Sequence, residues 1–398
     1  MRTGSWFSQV ATVTAMNLRN LPARLGTSLV AVIGIGGVVA VLVSLLSMGE
    51  GFRAALDLSG RDDVALILRG GSADELSSSF TREEFNVIVL ARGIARDENG
   101  PVASGEMYTI VDLPMRSTGT SANVPFRGVT SRAAELREGF RIVAGRMFEP
   151  GQNEVIVGRG VFAQFGNVDL GREVNWGSQT WRVVGVFEAG GSISESEVWT
   201  DLVVLRGVYR RGNTVQVVRA QLTSPAALAA VKASLEDDPR VNVSVRSERE
   251  FYADQSRILV GLIKYVGTTI AVLMGVGAIF AALNTMYSAV SSRTREIATL
   301  RALGFGAAPV VTSVLLESAV LGLLGGIAGG LLVYFALNGY QASTLNWASF
   351  SQITFAFTVT PRLLVTGLWY SLILGLVGGL LPGIRAARLP VTTGLREL

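Results

Sequence analysis

The stretch TSLVAVIGIGGVVAVLVSLLSM, residues 27–48, decides the fold of this chain of 398 residues. It contains no charged residue and is longer than the roughly 20 residues that an α-helix needs to cross a bilayer. Three further apolar runs lie at 258–287, 308–337 and 363–384, after a long polar segment. The sequence therefore predicts a membrane protein with four transmembrane α-helices, one N-terminal and three C-terminal, and a large domain between the first and the second.

Charge predicts which side of the membrane each segment occupies. Short basic flanks beside spans stay in the cytosol. Of the 31 acidic residues, all but Glu296, Glu317 and Glu397 lie between Glu50 and Asp254. We therefore expect both termini in the cytosol and the large domain outside it. The arginines on which this orientation depends are Arg2, Arg19, Arg24, Arg293, Arg295, Arg301, Arg385, Arg388 and Arg396.

Composition excludes most enzyme chemistry. With no Cys and no His, the chain cannot form a disulfide, a thiol nucleophile, a Ser-His-Asp triad or a zinc site of the usual ligands. Its only lysines, Lys232 and Lys264, do not follow a glycine, so no Walker A motif exists. We expect no catalytic residue, metal or cofactor, and any ATP to be bound by a partner. The pI near 9.6 reflects the basic flanks, and without a basic patch interleaved with aromatic residues we expect no nucleic-acid partner.

Residues 1–26 are predicted to form an amphipathic helix along the inner membrane surface. Apolar and small residues recur there at helical spacing, and a proline stops the pattern. A solvated tail is the alternative. The following run is too long for the apolar core of a signal peptide, so we expect residues 27–49 to form an uncleaved first span. The residues of the helical pattern are Phe7, Val10, Thr14, Leu18 and Leu21, followed by Pro22.

Residues 50–256 are predicted to form a large extracytoplasmic α+β domain. Two β-α segments, 50–100 and 210–250, are expected to join into one α+β part, with 101–209 as a β-rich insert. Their helices are predicted from about residue 81 to 91 and from Ser224 to Glu236. The predicted strands, rich in β-branched residues, are 64–68, 107–111, 154–157, 180–187, 198–205, 214–222 and 241–245.

The C-terminal part is divided into spans at 257–290, 307–338 and 362–384, a short external loop at 339–361 and a cytosolic tail at 385–398. Small residues one helical turn apart let helices approach closely, which predicts helix packing or dimer contacts rather than a conduction path. Glu317 is an acid inside a span and hence a functional candidate, with snorkelling or pairing at the inner interface as the alternative. The packing residues are Gly322, Gly326, Gly330, Gly375 and Gly379.

Residues 291–306 are predicted to form a short cytosolic helix that receives force from a soluble motor. The segment combines charged and apolar side chains, and Gly304 and Gly306 permit the chain to reverse into the next span. A basic loop without a partner is the alternative, but such a loop would not need its apolar residues. The residues assigned to this coupling are Arg293, Arg295, Glu296, Ile297, Leu300 and Arg301.

The stretch LNTMYSAVSSRTREIATLRALGFG, residues 283–306, resembles the MacB and FtsX superfamily of ABC transporter permeases. The resemblance is carried by Asn284 and Met286, by Thr-Arg-Glu-Ile at 294–297 and by Leu-Arg-Ala-Leu-Gly at 300–304. Residues 381–391 resemble the closing motif of the family, and residues 145–148, 154–158 and 181–187 resemble its periplasmic core domain.

The resemblance implies a permease in a bacterial inner membrane with its large domain in the periplasm. It also implies a second permease copy or a paralogue, contact with membrane lipids, and a separate cytosolic ABC ATPase that docks on the coupling helix. Because MacB carries a fused N-terminal ATPase domain and this sequence starts at the interfacial helix, we expect the ATPase to act in trans.

Several functions remain open at this stage. A MacB-like efflux component would work with a periplasmic adaptor, whereas a LolC- or LolE-like component would extract lipoproteins. An FtsX-like component would regulate cell-wall hydrolases, although its external domain is smaller. An anchored adhesin or sensor would not explain three tightly packing spans. A membrane-embedded protease would need His or paired acids inside the membrane, which the sequence lacks.

Overall fold

The computed structural model describes residues 3–19, 25–346 and 351–390. It divides into two compact units. The helical unit contains the described residues up to Glu50, Gly261–Tyr340 and those from Phe357 onward, and the sheet unit contains Gly51–Val260 and Gln341–Ala356. The sequence-based assignments to Arg2, Leu21, Pro22, Arg24 and the tail 391–398 lie outside the described residues.

The predicted helices all appear in the predicted order among the described residues, and two further short helices, Arg159–Gln164 and Leu202–Val208, were not predicted. Four of them are long and apolar enough to cross a membrane, which confirms the predicted arrangement of one N-terminal and three C-terminal spans. The helices are α1 (Thr3–Arg19), α2 (Leu25–Ser59), α3 (Arg82–Val89), α4 (Arg159–Gln164), α5 (Leu202–Val208), α6 (Ala227–Glu236), α7 (Glu248–Ser291), α8 (Thr294–Ala302), α9 (Ala307–Leu337) and α10 (Pro361–Arg388).

The helices that contain the spans extend beyond the apolar runs. Helix α2 continues to Ser59 and α7 starts at Glu248, because polar residues at both places are as compatible with helix as apolar ones and hydropathy marks only the membrane part. Helix α10 begins with Pro361 at its first position, where a missing N–H costs nothing, and the Thr360 side chain accepts from the Leu363 N–H. Its end lies at Arg388, four residues past the predicted boundary at 384.

Glycines bring the helices of the helical unit into close contact. A Cβ added at Gly322 would lie 2.6 Å from the Ser371 carbonyl oxygen, and one at Gly375 would lie 2.6 Å from that of Ser318. Helix α9 therefore packs on α10 at backbone distance. Added Cβ atoms would also meet Ser371 at Gly326, Ser318 at Gly379 and Leu364 at Gly330. These predicted packing residues thus all contact helices of the same chain.

A second row of glycines lies on another face of α9. A Cβ added at Gly325 would lie 2.9 Å from the Val32 carbonyl oxygen of α2, and Gly329 approaches Gly36 on the same helix. Helix α1 is a helix as predicted, but its buried apolar residues are Val10 and Val13, whereas Phe7 is exposed. The interfacial position of α1 remains a prediction.

The sheet unit is built on one ten-stranded mixed sheet. Its order is β12-β1-β11-β4-β5-β10-β7-β9-β6, with β8 paired to β9. The β10–β5 and β7–β9 pairs are parallel, and the other pairs of this sheet are antiparallel. Strands β2 and β3, and strands β13 and β14, form two separate two-stranded sheets. The strands of the described residues are β1 (Val64–Arg69), β2 (Arg96–Asp97), β3 (Gly100–Pro101), β4 (Ala103–Pro114), β5 (Ser121–Val129), β6 (Phe140–Gly145), β7 (Glu154–Gly158), β8 (Glu173–Trp176), β9 (Gln179–Ala189), β10 (Val198–Asp201), β11 (Val217–Gln221), β12 (Val243–Ser247), β13 (Gln341–Asn346) and β14 (Ser351–Ala356).

Strand β4 joins the two parts of the sheet unit. Its first residues pair with β11, from Ala103 to Glu106, and its later residues pair with β5, from Met107 to Pro114. The sheet runs through both predicted parts without a break. The division of the domain into an α+β part, 50–100 with 210–250, and a β-rich insert, 101–209, therefore remains a prediction. Helix α3 starts at the predicted residue because Thr81 and Glu84 form a capping box.

Several sequence expectations differ from the structure. Helix α6 starts at Ala227 rather than at the predicted Ser224, because residues 224–227 form a turn in which the Ala227 N–H donates to the Ser224 carbonyl. The predicted strand 198–205 is wrong after Asp201, because the Asp201 side chain accepts from the Val203 N–H at 2.6 Å and starts α5 there. Strands β5, β6 and β8 were not predicted. The segment 339–361, expected to be a loop, contains the hairpin β13–β14, and Phe355 of that hairpin packs edge-on against Phe52 within the sheet unit, 5.9 Å between ring centroids.

Candidate functional site

The predicted coupling segment is a separate short helix, α8, between α7 and α9. Arg293 stands at its N-cap, and the Thr294 hydroxyl donates to the Ser291 carbonyl at 2.9 Å. After the helix, the N–H groups of Gly304 and Phe305 donate back to Arg301 and Leu300. Gly304 adopts φ 96°, a left-handed conformation that glycine reaches without strain. This geometry produces the chain reversal that the sequence predicted there.

Helix α8 has one face packed inside the helical unit. Ile297 is only 8% exposed and belongs to an apolar cluster with Met286, Val310 and Val314. Leu300 is half-buried and lines a small cavity with Val13 of α1. The structure thus places the apolar residues of the predicted coupling set against the chain's own helices.

The opposite face of α8 is open. Arg295, Glu296 and Thr299 are exposed, and Leu303, which follows the helix, is 73% exposed. An exposed leucine beside an arginine and a glutamate gives this face both apolar and charged groups. Of the predicted coupling residues, Arg295 and Glu296 are therefore the ones exposed on this face. Leu303 was not among the predicted residues, because it lies just beyond the helical pattern.

Arg293 and Glu317 form a buried ion pair. The Arg293 Nη1 lies 3.2 Å from the Glu317 Oε2, and the two side chains are 5% and 4% exposed. Glu317 lies in the third turn of α9, before the glycine row that starts at Gly322. Glu317 is thus paired, as one of the sequence-based alternatives expected, and its partner comes from the N-cap of α8. Its role as a functional residue remains a prediction.

Arg301 contacts the end of α10. Its guanidinium donates to the carbonyl oxygen of Ala387, one of the last carbonyls of a helix, which have no partner within the helix itself. Nearby, the Arg385 guanidinium lies over the Tyr287 ring at 5.5 Å from the centroid, a cation–π geometry. Arg301 is thus turned toward the chain's own helices, as Arg293 is.

The sheet unit contains a cluster of buried charges that the sequence did not reveal. We call it the buried ionic cluster. At its centre, Arg127 contacts Glu197 and Glu75 at 2.7 Å each and Glu106 at 3.0 Å. Glu106 also accepts from Arg137 and Arg219. The members are Glu75, Glu106, Arg127, Arg137, Glu197, Arg219 and Glu248.

The cluster lowers the pKa of two of its carboxylates, Glu106 and Glu75, whereas burial raises the pKa of Glu248. Burial on its own would raise the pKa of Glu106, but Arg137, Arg219 and Arg127 lower it far below its usual value. The pKa of Glu75 is lowered for the same reason, by Arg127 and Arg219 against the effect of burial. Glu248 and Tyr252, in the first turns of α7, both accept from Arg219. The cluster therefore ties the start of α7 to strands β4, β5 and β11.

The described residues contain no group of three His, Cys, Asp or Glu side chains placed to hold a metal ion. The comparisons with known proteins bear on the chain as a whole. A family model described as MacB-like periplasmic core domain matches residues 28–238, more than half of the chain, and one described as FtsX-like permease C-terminal matches residues 268–391. The chain belongs to the MacB/FtsX family of ABC transporter permeases.

Relatives of this permease cover it almost completely. The macrolide export ATP-binding/permease protein MacB of Bordetella avium is 26% identical over 99% of this chain. The uncharacterized ABC transporter permease YknZ of Bacillus subtilis is 23% identical and covers 97% of both chains. The permease spans 61% of the length of the Bordetella MacB. The solved periplasmic region of MacB from Actinobacillus actinomycetemcomitans covers 50% of this chain and 94% of its own, at 14% identity and a TM-score of 0.37.

Proposed function

We propose that this permease couples ATP hydrolysis by a separate cytosolic ABC ATPase to movements of its sheet unit outside the cytosol. The observation that carries the proposal is the open face of α8, formed by Arg295, Glu296, Thr299 and Leu303. Within an ABC transporter permease, a short helix between two spans with apolar and charged groups exposed is suited to dock on an ATPase. This face, rather than Ile297, is the proposed contact.

The remaining predicted coupling residues attach α8 to the other helices of the helical unit. Ile297 packs in the apolar cluster of the helical unit, while Arg293 and Arg301 bind Glu317 and the Ala387 carbonyl. A movement imposed on α8 would therefore reach α9 and α10 directly, because the side chains that hold α8 also contact those two helices.

Two helices provide the way outward. Both α2 and α7 contribute residues to the helical unit and to the sheet unit. At the start of α7, Glu248 and Tyr252 are held by Arg219 of β11. In the proposal, a movement of α2 and α7 shifts the sheet unit. The buried ionic cluster passes that movement from the start of α7 to the strands that it contacts.

The spans favour mechanical work over conduction. Helices α9 and α10 meet at backbone distance along their glycines, and the one carboxylate buried among the described residues of these spans, Glu317, is paired. A hydrophilic solute crossing here would need polar groups that this interface does not offer. We therefore propose MacB-like efflux from outside the inner membrane, with a second permease copy or paralogue and a periplasmic adaptor. Lipoprotein extraction of the LolC or LolE kind, and regulation of cell-wall hydrolases, remain the second candidates.

The test is the ATPase rate of the ABC ATPase that co-purifies with the tagged permease from its own membranes. The variants Leu303→Glu and Glu296→Lys should lower permease-stimulated hydrolysis about tenfold or more. Leu303→Glu places a charge in the apolar part of the docked face, and Glu296→Lys reverses the charge that the ATPase meets there. Leu170→Glu, at a half-exposed leucine of the sheet unit, is the matched control and should keep full stimulation. Unchanged stimulation in both α8 variants would refute the proposed contact.

A further inference from the structure

The charged residues of α8 and of its N-cap differ in how far they are exposed. Arg295 and Glu296 are exposed, whereas Arg293 is 4% exposed and pairs with Glu317. Moving a charged side chain from water into the protein interior costs considerable free energy. A buried charge is therefore found only where an oppositely charged partner compensates it. A guanidinium placed merely to keep the loop in the cytosol would not need to be buried.

We propose that Arg293 and Glu317 are positioning residues, which fix the direction in which α8 presents its docking face. Arg293 is the N-cap of α8, so its side chain fixes the first residue of the helix to α9. The inference rests on the proposed function for the use of that face, but the pair itself is a property of the helical unit alone.

The neighbouring contacts explain why one ion pair controls the orientation of the helix. Ile297 follows Arg293 by one helical turn and enters the cluster with Val310 and Val314 of α9. Residues four apart lie on the same helical face. The ion pair of Arg293 and the apolar contact of Ile297 therefore hold the same face of α8 against α9. With that face held against α9, Arg295 and Thr299 are exposed, and Glu296 lies at the exposed edge of the small cavity between α8 and α9.

Arg301 fixes the other end of α8 to a different helix. Its guanidinium donates to the Ala387 carbonyl near the end of α10. Helices α9 and α10 in turn pack at backbone distance through Gly322 and Gly375. The two ends of α8 are therefore attached to two helices that are themselves packed together, and rotation of α8 about its own axis requires that the Arg293–Glu317 pair be broken.

The absence of cysteine in the sequence permits a direct test by single-cysteine labelling in the full permease in membranes. Ile297→Cys reports on the packed face and Thr299→Cys on the open face. In the unchanged background, a maleimide should label Thr299→Cys rapidly and Ile297→Cys slowly. Adding Glu317→Ala or Glu317→Gln should raise labelling of Ile297→Cys about tenfold or more, because loss of one partner leaves a buried charge uncompensated.

Two controls separate positioning from a general loss of structure. Glu173→Gln, at an exposed glutamate of β8 outside the helical unit, should leave both labelling rates unchanged. The exchanged pair Arg293→Glu with Glu317→Arg should return Ile297→Cys to slow labelling. Ile297→Cys that stays protected in both Glu317 variants, or equally rapid labelling in the exchanged pair, would overturn the inference.

The ATPase assay distinguishes failure of this inference from failure of the proposed function. Glu317→Gln should lower the stimulated kcat of the co-purified ATPase and leave its KM for ATP unchanged, since the nucleotide site is not altered, and the exchanged pair should restore kcat. If the unchanged permease gives no stimulation, the proposed function fails while the labelling still decides the role of the pair. If the permease stimulates and Glu317→Gln does so equally, the positioning role fails and the proposed function stands.

Discussion

At the residue scale, the main feature of the sheet unit is a set of buried arginine and glutamate side chains whose charges neutralise one another. Arg127 is 2% exposed and has three carboxylate partners, two of them from distant parts of the chain. The Trp199 indole N–H donates to Glu197 at 2.7 Å, and the Arg137 guanidinium lies over the Trp199 ring. Removing one member leaves the others without compensation, so the cluster makes the sheet unit sensitive to single substitutions.

Replacing Glu106 by Gln tests this sensitivity. Glu106 is fully buried and accepts from Arg127, Arg137 and Arg219, so the variant should lose about 3–5 kcal/mol of stability. In the purified permease that corresponds to a melting temperature lower by about 10 °C, measured through the fluorescence of the buried tryptophans. Glu173→Gln, at an exposed glutamate of β8, should melt like the unchanged protein.

The same variant has a defined pH dependence. Because the pKa of Glu106 is lowered in the folded state, its stabilisation is complete above the unfolded value of 4.5 and is lost as the pH falls toward the lower folded value. The difference in stability between the unchanged protein and Glu106→Gln should therefore narrow below pH 4.5, by about 1.4 kcal/mol per pH unit. A difference that stays constant down to pH 3.5 would show that Glu106 does not carry this charge effect.

These buried charges could not be predicted from the sequence. Glu106 and Arg219 contact each other across 113 positions of the chain, and no local pattern links them. Glu106 lies just before the predicted strand 107–111, and Arg127 lies on β5, which was not predicted. Only the pairing of β4 with both β5 and β11 brings them inside. For the same reason, the sequence offered pairing as an alternative for Glu317 but could not name Arg293 as the partner.

At the element scale, the spans were predicted well because hydropathy and length are local properties. The glycine rows of α9 and α10 were also visible, since small residues recur every fourth position. What the sequence could not specify is which helix each row meets. Gly322 faces α10 and Gly325 faces α2, and this choice depends on tertiary packing.

Replacing Gly322 by Val tests the contact between α9 and α10. The new Cβ would lie 2.6 Å from the Ser371 carbonyl oxygen, so the helices must separate, at a cost of about 1–3 kcal/mol or more. The variant should melt at a clearly lower temperature in detergent. Gly277→Val is the matched control, because no atom of the described residues lies within 4 Å of a Cβ added there. Equal melting of both variants would contradict close packing at Gly322.

The hairpin β13–β14 shows where element prediction fails. Its sequence lies between two spans, in a segment short enough to be taken for a loop, and hydropathy gives no sign of pairing. In the structure Ile353 and Phe355 are buried within the sheet unit, and the Thr354 N–H donates to the Ser196 hydroxyl at 2.8 Å. These partners lie far away in sequence, so only the folded sheet unit explains why the hairpin forms.

At the scale of the whole molecule, the sequence predicted the family, the four spans and the large α+β domain, and the comparisons and the structure confirm them. The function rests on the proposal that α8 receives work on one side of the membrane and the sheet unit uses it on the other. This requires that Thr299 of α8 and Val203 of the sheet unit, both exposed, face opposite sides.

The most direct measurement is labelling of Thr299→Cys and Val203→Cys, in the naturally cysteine-free chain, with a membrane-impermeant maleimide in intact spheroplasts. We expect Val203→Cys to be labelled at once and Thr299→Cys only after the membrane is permeabilised. Labelling of both residues before permeabilisation, or of Thr299→Cys alone, would contradict the account.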